Sequence, residues 1–231
     1  MVLFLNEAYY DRWRRIRKFK EVDNLFTRLL GERPSLLFIP LAGDEDDWDD
    51  AKNRILEVFS TISFDRIDTC TDLHDLEWDY LKTFQAIYID GGNTFQLMSM
   101  IRDTHTYELL HKFLNYGGII NGDSAGAIVL GSHLETAHFG DEPDDNDSEI
   151  YSYQGLNLLG KWAIHAHYKE SENEEIVEFV KEFGFPVIAL HEDSSIYIND
   201  RMLKVIGPDK INIFTKEVNL PIFPGQKFFL D

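Results

Sequence analysis

Gly122, Ser124 and Gly126 form a Gly-x-Ser-x-Gly run, preceded by the apolar pair Ile119-Ile120 and followed by small residues from Ala125 onward. A strand that breaks at a glycine and resumes as a helix puts the intervening serine on a sharp turn. The flanking glycines remove the Cβ atoms that would clash there. The chemistry such a serine offers is nucleophilic acyl transfer, and a hydroxyl is a weak nucleophile until a base takes its proton. The chain has eight histidines. His74, His105 and His111 precede the turn, and His133 and His138 follow its helix. His165, His167 and His191 fall at or near the carboxyl ends of expected strands, at the rim where Ser124 lies. In Ile164-His165-Ala166-His167-Tyr168, strand alternation puts both histidines on one side. A His-x-His pair is also a metal-ligand pattern, but no third ligand is apparent.

The base in turn needs a carboxylate to fix its tautomer and stabilise its charged form. Glu192, just past an apolar strand over 187–190, is best placed. Asp147 is second, and Asp123 is too close to Ser124 in sequence to reach round easily. The single cysteine, Cys70, lies far from this turn. It excludes an intrachain disulfide and fits a reducing compartment.

The elements that must position these groups read as an alternation of strands and helices. Residues 2–5 form a first buried strand, and residues 7–30 carry a helical pattern through Tyr10, Trp13, Ile16, Phe19, Leu25, Leu29 and Leu30. The basic run over 12–18 is a solvated helix face. Apolar runs over 35–40, 64–69 and 84–90 read as further strands, with a helix over 48–59 behind an acidic loop. Asp90-Gly91-Gly92-Asn93-Thr94 then passes from a strand to a helix, and bare glycine backbone at such a rim suits ligand binding. A helix over 105–116 precedes the serine turn. The acidic stretch 141–149 lacks the glycine and terminal-glutamate spacing of a calcium loop and reads as a solvated flap beside the site. Strands over 162–168 and 186–192 flank a helix near 172–183, and short strands close the chain. The expected architecture is α/β, three layers deep, with a mostly parallel central sheet and a short antiparallel C-terminal edge, in one domain over 1–231.

Composition narrows the partners. With 22 basic and 41 acidic residues the net charge is −19, which makes nucleic acid and anionic membranes poor partners. The first residues are too short and uncharged for a signal segment, and no apolar window is long enough to span a bilayer. A cytoplasmic location is the expectation, and the oligomeric state stays open, a homodimer included.

Asp90-Gly-Gly-Asn-Thr-Phe-Gln-Leu, then Gly122-Asp-Ser-Ala-Gly-Ala, a later His-Tyr and a Glu after the next apolar strand resemble, in that order, the dipeptidase E and cyanophycinase family of serine peptidases. The match in order and spacing runs from the first strand to about residue 198. The resemblance implies a flavodoxin-like fold of the class I glutamine amidotransferase type, with serine where those enzymes have cysteine, and no cofactor or metal. It implies Ser124 as nucleophile, His167 as general base and Glu192 as orienting acid, with the backbone N–H groups of Gly92 and Ala125 as oxyanion hole. Gly91, Asn93 and Asp147 fall on the substrate side. The implied activity is hydrolysis of short peptides by an exopeptidase. Two features depart from the aspartyl dipeptidase branch. Residues 169–181 contain no arginine to hold an acidic substrate side chain, and the loop 136–150 is longer and more acidic. An acidic mouth favours a free α-amino group or a basic side chain. A catalytically silent binding module and an esterase are the alternative readings.

Overall fold

The computed structural model describes residues 1–6, 20–60 and 62–231. The basic run over 12–18 and the first turns of the helix expected over 7–30 lie outside the described residues. Five strands pair in parallel: β1 (Val2–Asn6), β2 (Ser35–Ile39), β3 (Arg66–Thr69), β4 (Ala86–Ile89) and β5 (Ile119–Asp123), in the spatial order β1-β5-β4-β2-β3. Between and after them run α1 (Lys20–Leu30), α2 (Trp48–Val58), α3 (Trp78–Leu81), α4 (Thr94–Arg102), α5 (Thr106–Asn115) and α6 (Ala125–Leu130).

Strand alternation sorts the apolar side chains to two faces. Phe4, Leu36, Phe38, Ala86, Tyr88 and Ile119 pack with the α1 and α2 residues Val22, Phe26, Leu30, Ala51 and Ile55. Their neighbours Leu5, Leu37, Ile39, Ile87, Ile89 and Ile120 pack on the other side with α4, α5 and α6. Continuous apolar runs become strands here because both faces are covered by helices, which is the three-layer arrangement. On α1 the buried stripe is Val22, Phe26 and Leu30, at spacings of four, while Leu29 is exposed.

The rest of the chain supplies β6 (Ala163–His165), α7 (Asn173–Phe183), β7 (Val187–Leu190), β8 (Ser195–Asn199), β9 (Met202–Val205), β10 (Ile211–Phe214), β11 (Asn219–Ile222) and β12 (Lys227–Phe229). β8, β9 and β12 extend the main sheet antiparallel beyond β1, as the expected C-terminal edge. The other late strands do not join it. β6 and β7 pair in parallel within a separate four-stranded sheet completed by β10 and β11. β1 has both edges occupied, by β5 on one side and β8 on the other, so β6 does not pair with it. No helix among the described residues is long and apolar enough to cross a membrane.

The strand expected over 162–168 is shorter than its alternation suggests. It ends at His165, and His167 has a left-handed backbone with φ +55. The two histidines therefore do not share a side: His165 is buried at 3 % exposure, whereas His167 is exposed.

Candidate active site

Ser124 sits between β5 and α6 with φ +47 and ψ −112, a conformation that a residue bearing a side chain rarely adopts. Such backbone costs on the order of 1–3 kcal/mol and persists only where its surroundings over-determine it. Here they do. The Ser124 N–H donates to the Asn6 carbonyl of β1 at 3.2 Å, and the Ser124 carbonyl accepts from Ala127 and Ile128 at 2.8 and 3.0 Å. The two glycines allow strand and helix to touch. A Cβ on Gly122 would lie 2.5 Å from the Gly126 carbonyl oxygen, and one on Gly126 would lie 2.3 Å from that of Ile89.

The second rim turn follows β4. Gly92 has φ +141, and a Cβ there would meet the Ala42 carbonyl oxygen at 2.1 Å. Asn93 donates its N–H to that same oxygen at 2.7 Å, so the turn is fastened to the loop after β2. Gly91 lies directly against Ser124, since its Cβ would be 3.2 Å from the Ser124 Cβ. Asn93 caps α4 by accepting the Gln96 N–H at 2.9 Å, and its amide donates to the Asp145 carbonyl at 2.8 Å. Asn93 thus spends its side chain on the fold. The Asp144 carboxylate accepts the Thr94 N–H at 2.8 Å. The acidic loop over 141–149 is therefore docked on the start of α4, beside the Gly91-Gly92 turn, with Asp147 exposed on it.

Asp90 directly follows β4 and is largely buried, with Arg54 of α2 at 3.9 Å. Burial pushes its carboxyl above the ordinary aspartate range, against the pull of Arg54 and the Gly91 N–H. Cys70 offers no competing nucleophile, because burial pushes its thiol up to about 11 and no thiolate forms at neutral pH.

A histidine reaches Ser124 from the second sheet. The Ser124 Oγ and His167 Nε2 are 2.9 Å apart, within hydrogen-bond reach. His167 is carried just past β6, and the next residue, Tyr168, anchors to β7 through its N–H and the Leu190 carbonyl at 2.9 Å. The other two rim histidines are engaged elsewhere. His165 bonds to Thr136 and Glu172, and His191 faces Asn212 at 3.3 Å and packs edge-on against Tyr168. The structure thus brings Ser124, His167, Gly91, Gly92 and Ala125 together. Glu192, two residues beyond β7, is exposed and makes no hydrogen bond or ion pair among the described residues. A serine beside an imidazole, with glycine backbone and a helix start around it, can carry out acyl transfer without a metal ligand set.

Sequence reasoning missed Glu172. Burial pushes its carboxyl up, but the bonds from His165 and from the Lys169 N–H outweigh that and hold it below the ordinary glutamate range. The available signal was its place three residues after Lys169 at a helix start, the spacing at which a glutamate reaches back to a cap N–H. The segment lacks the serine or threonine that makes this pattern conspicuous.

The model of peptidase family S51 matches residues 13–206 of this chain. Peptidase E of a Nostoc species is 27% identical over 191 residues, covering 78% of this chain and 75% of that protein. Peptidase E of Shewanella denitrificans is 26% identical over 206 residues, covering 82% of each. Among solved structures, a peptidase from an acI-B1 Actinobacterium superposes with a TM-score of 0.73 at 16% identity, over 99% of this chain and 96% of that one. A Listeria monocytogenes protein described as a peptidase E superposes with a TM-score of 0.67 at 20% identity, over 89% and 98%. At these identities the superpositions show a shared fold.

Proposed function

The chain belongs to peptidase family S51 and is a serine peptidase, and on that premise we propose that it is an exopeptidase that cleaves short peptides through an acyl-enzyme on Ser124. The observation that carries this reading is the 2.9 Å approach of Ser124 Oγ to His167 Nε2. In the proposed cycle Oγ attacks the scissile carbonyl carbon as Nε2 takes its proton. The oxyanion is received by the N–H groups of Gly92 and Ala125. Ala125 opens α6, and a first-turn N–H has no carbonyl four residues back to bond. The tetrahedral species collapses, the amine leaves with the proton from His167, and a water activated by the same imidazole releases the acid.

For Nε2 to accept the serine proton, Nδ1 must carry its own, and an acid beside Nδ1 would hold that tautomer. The family resemblance assigns this role to Glu192. In that role, its replacement in Glu192→Gln is expected to lower kcat by roughly a thousandfold or more, as loss of a triad acid does elsewhere. A fall of less than threefold would pass the role to another group.

The acidic loop docked beside the Gly91-Gly92 turn supports a preference for peptides with a free α-amino group, as expected of an exopeptidase. The test is labelling with a fluorophosphonate, the adduct mapped by mass spectrometry, alongside turnover of a dipeptide and tripeptide library. An adduct on Ser124, loss of turnover on labelling, and a silent Ser124→Ala variant are the expected results. Full turnover by Ser124→Ala would sink the reading.

A further inference from the structure

Two histidines stand two residues apart, and only one of them faces the serine. The ring of His165 is bonded at both nitrogens, Nδ1 to the Thr136 carbonyl at 3.0 Å and Nε2 to the Glu172 carboxylate at 2.8 Å. The ring is therefore tied on two opposite sides. The same Glu172 oxygen accepts the Lys169 N–H at 3.0 Å. Glu172 is 7 % exposed, and its other carboxylate oxygen lies against Gly140, where an added Cβ would stand 2.6 Å from it. The chain from 165 to 172 is thus a loop fastened at its neck, and His167 lies inside it.

His167 needs such a fastening. Its φ of +55 is the left-handed region, which a residue with a side chain leaves readily unless neighbouring contacts forbid it. On its C-terminal side the Tyr168 N–H is tied to Leu190 at 2.9 Å, and the Tyr168 hydroxyl donates to Asn173 at 2.7 Å. On its N-terminal side the nearest side-chain tie is the buried ring of His165. We propose that His165 and Glu172 form a buried positioning clamp that keeps the His167 backbone left-handed and its Nε2 aimed at Ser124. Neither clamp residue touches the reacting atoms, since both act through His167. The inference rests on the reading of His167 as general base.

A loosened clamp lets His167 relax to backbone conformations that turn its ring away from the serine. Only the fraction of molecules with Nε2 at Oγ then turns over. That fraction scales kcat, whereas KM, set by contacts at the rim, stays put.

The test is a graded series at one position, read by kcat, KM and the rate of fluorophosphonate labelling. Glu172→Ala removes the acceptor and is expected to lower kcat at least tenfold with KM within twofold, labelling slowing by the same factor. Glu172→Gln keeps an acceptor oxygen at the same reach and loses the charge, so it is expected to fall between, about threefold below the wild type. A general weakening of the fold would not give this split between kcat and KM or this order. Should Glu172→Ala not fold, Glu172→Gln decides alone. Unchanged kcat in either folded variant, with Ser124→Ala inactive, overturns the clamp and leaves the Ser124–His167 chemistry standing. Full activity in Ser124→Ala overturns the chemistry itself.

Discussion

Replacing His167 by glutamine is expected to lower kcat by roughly ten-thousand-fold while leaving the protein folded. The ring is at the surface, so the change opens no cavity in the core. What is lost is the acceptor 2.9 Å from the Ser124 hydroxyl. Without it Oγ must attack as a neutral hydroxyl or lose its proton to water, and the leaving amine has no donor. The residual rate would come from the oxyanion donors and from binding, which His167→Gln does not touch. KM is therefore expected to stay within a few-fold. Steady-state kinetics on the best dipeptide, with thermal unfolding as control, measures both. A fall of less than tenfold would mean that another group takes the serine proton.

The second large effect is on stability. Gly126→Ala adds one methyl group, yet that atom would stand 2.3 Å from the Ile89 carbonyl oxygen and 3.1 Å from that of Asp90. These are backbone atoms at the end of β4, which is held between β5 and β2, so they cannot swing aside as a flexible side chain would. The helix must retreat from the sheet, and the serine turn must move with it. Overpacking of a rigid interior costs typically 1–3 kcal/mol. Against the backbone of a central strand, about 3 kcal/mol is expected here. Chemical denaturation should show that loss, and labelling of Ser124 should fall with it. A variant of wild-type stability would mean that α6 has room the geometry does not show.

The serine turn was legible in the sequence because its determinants are local. Gly122, Ser124 and Gly126 lie within five residues, and the clash that demands glycine at 122 arises between the adjoining strand and helix, although the one at 126 is with the distant β4. The parallel core was legible for a similar reason, since runs such as Leu36-Leu37-Phe38-Ile39 are apolar on both faces of one strand. His167 was not separable from His165 and His191 by pattern. Alternation from Ile164 to Tyr168 reads as unbroken strand, and the positive φ at His167 that parts the two histidines leaves no trace in periodicity. Only the family resemblance singled it out. The split of the late strands into two sheets was hidden for another reason. It depends on β8 taking the free edge of β1, a pairing across nearly the whole chain.

That pairing also governs when, during synthesis, the enzyme can come into being. β1 lies between β5 and β8, so Leu5 waits for Gly122 on one side and for Ile196 on the other. Contacts so distant along the chain carry a large loop-closure cost and form late. At ribosomal speeds of about 5–20 residues per second, the β1 edge that β8 will cover stays open for on the order of ten seconds or more. During that interval an apolar strand offers bare N–H and C=O groups to any neighbour, the hazard characteristic of an unpaired edge. The carbonyl that receives the Ser124 N–H belongs to that same strand. The peptidase therefore has a silent infancy, in which the nascent chain is most exposed to misassembly and least able to cut.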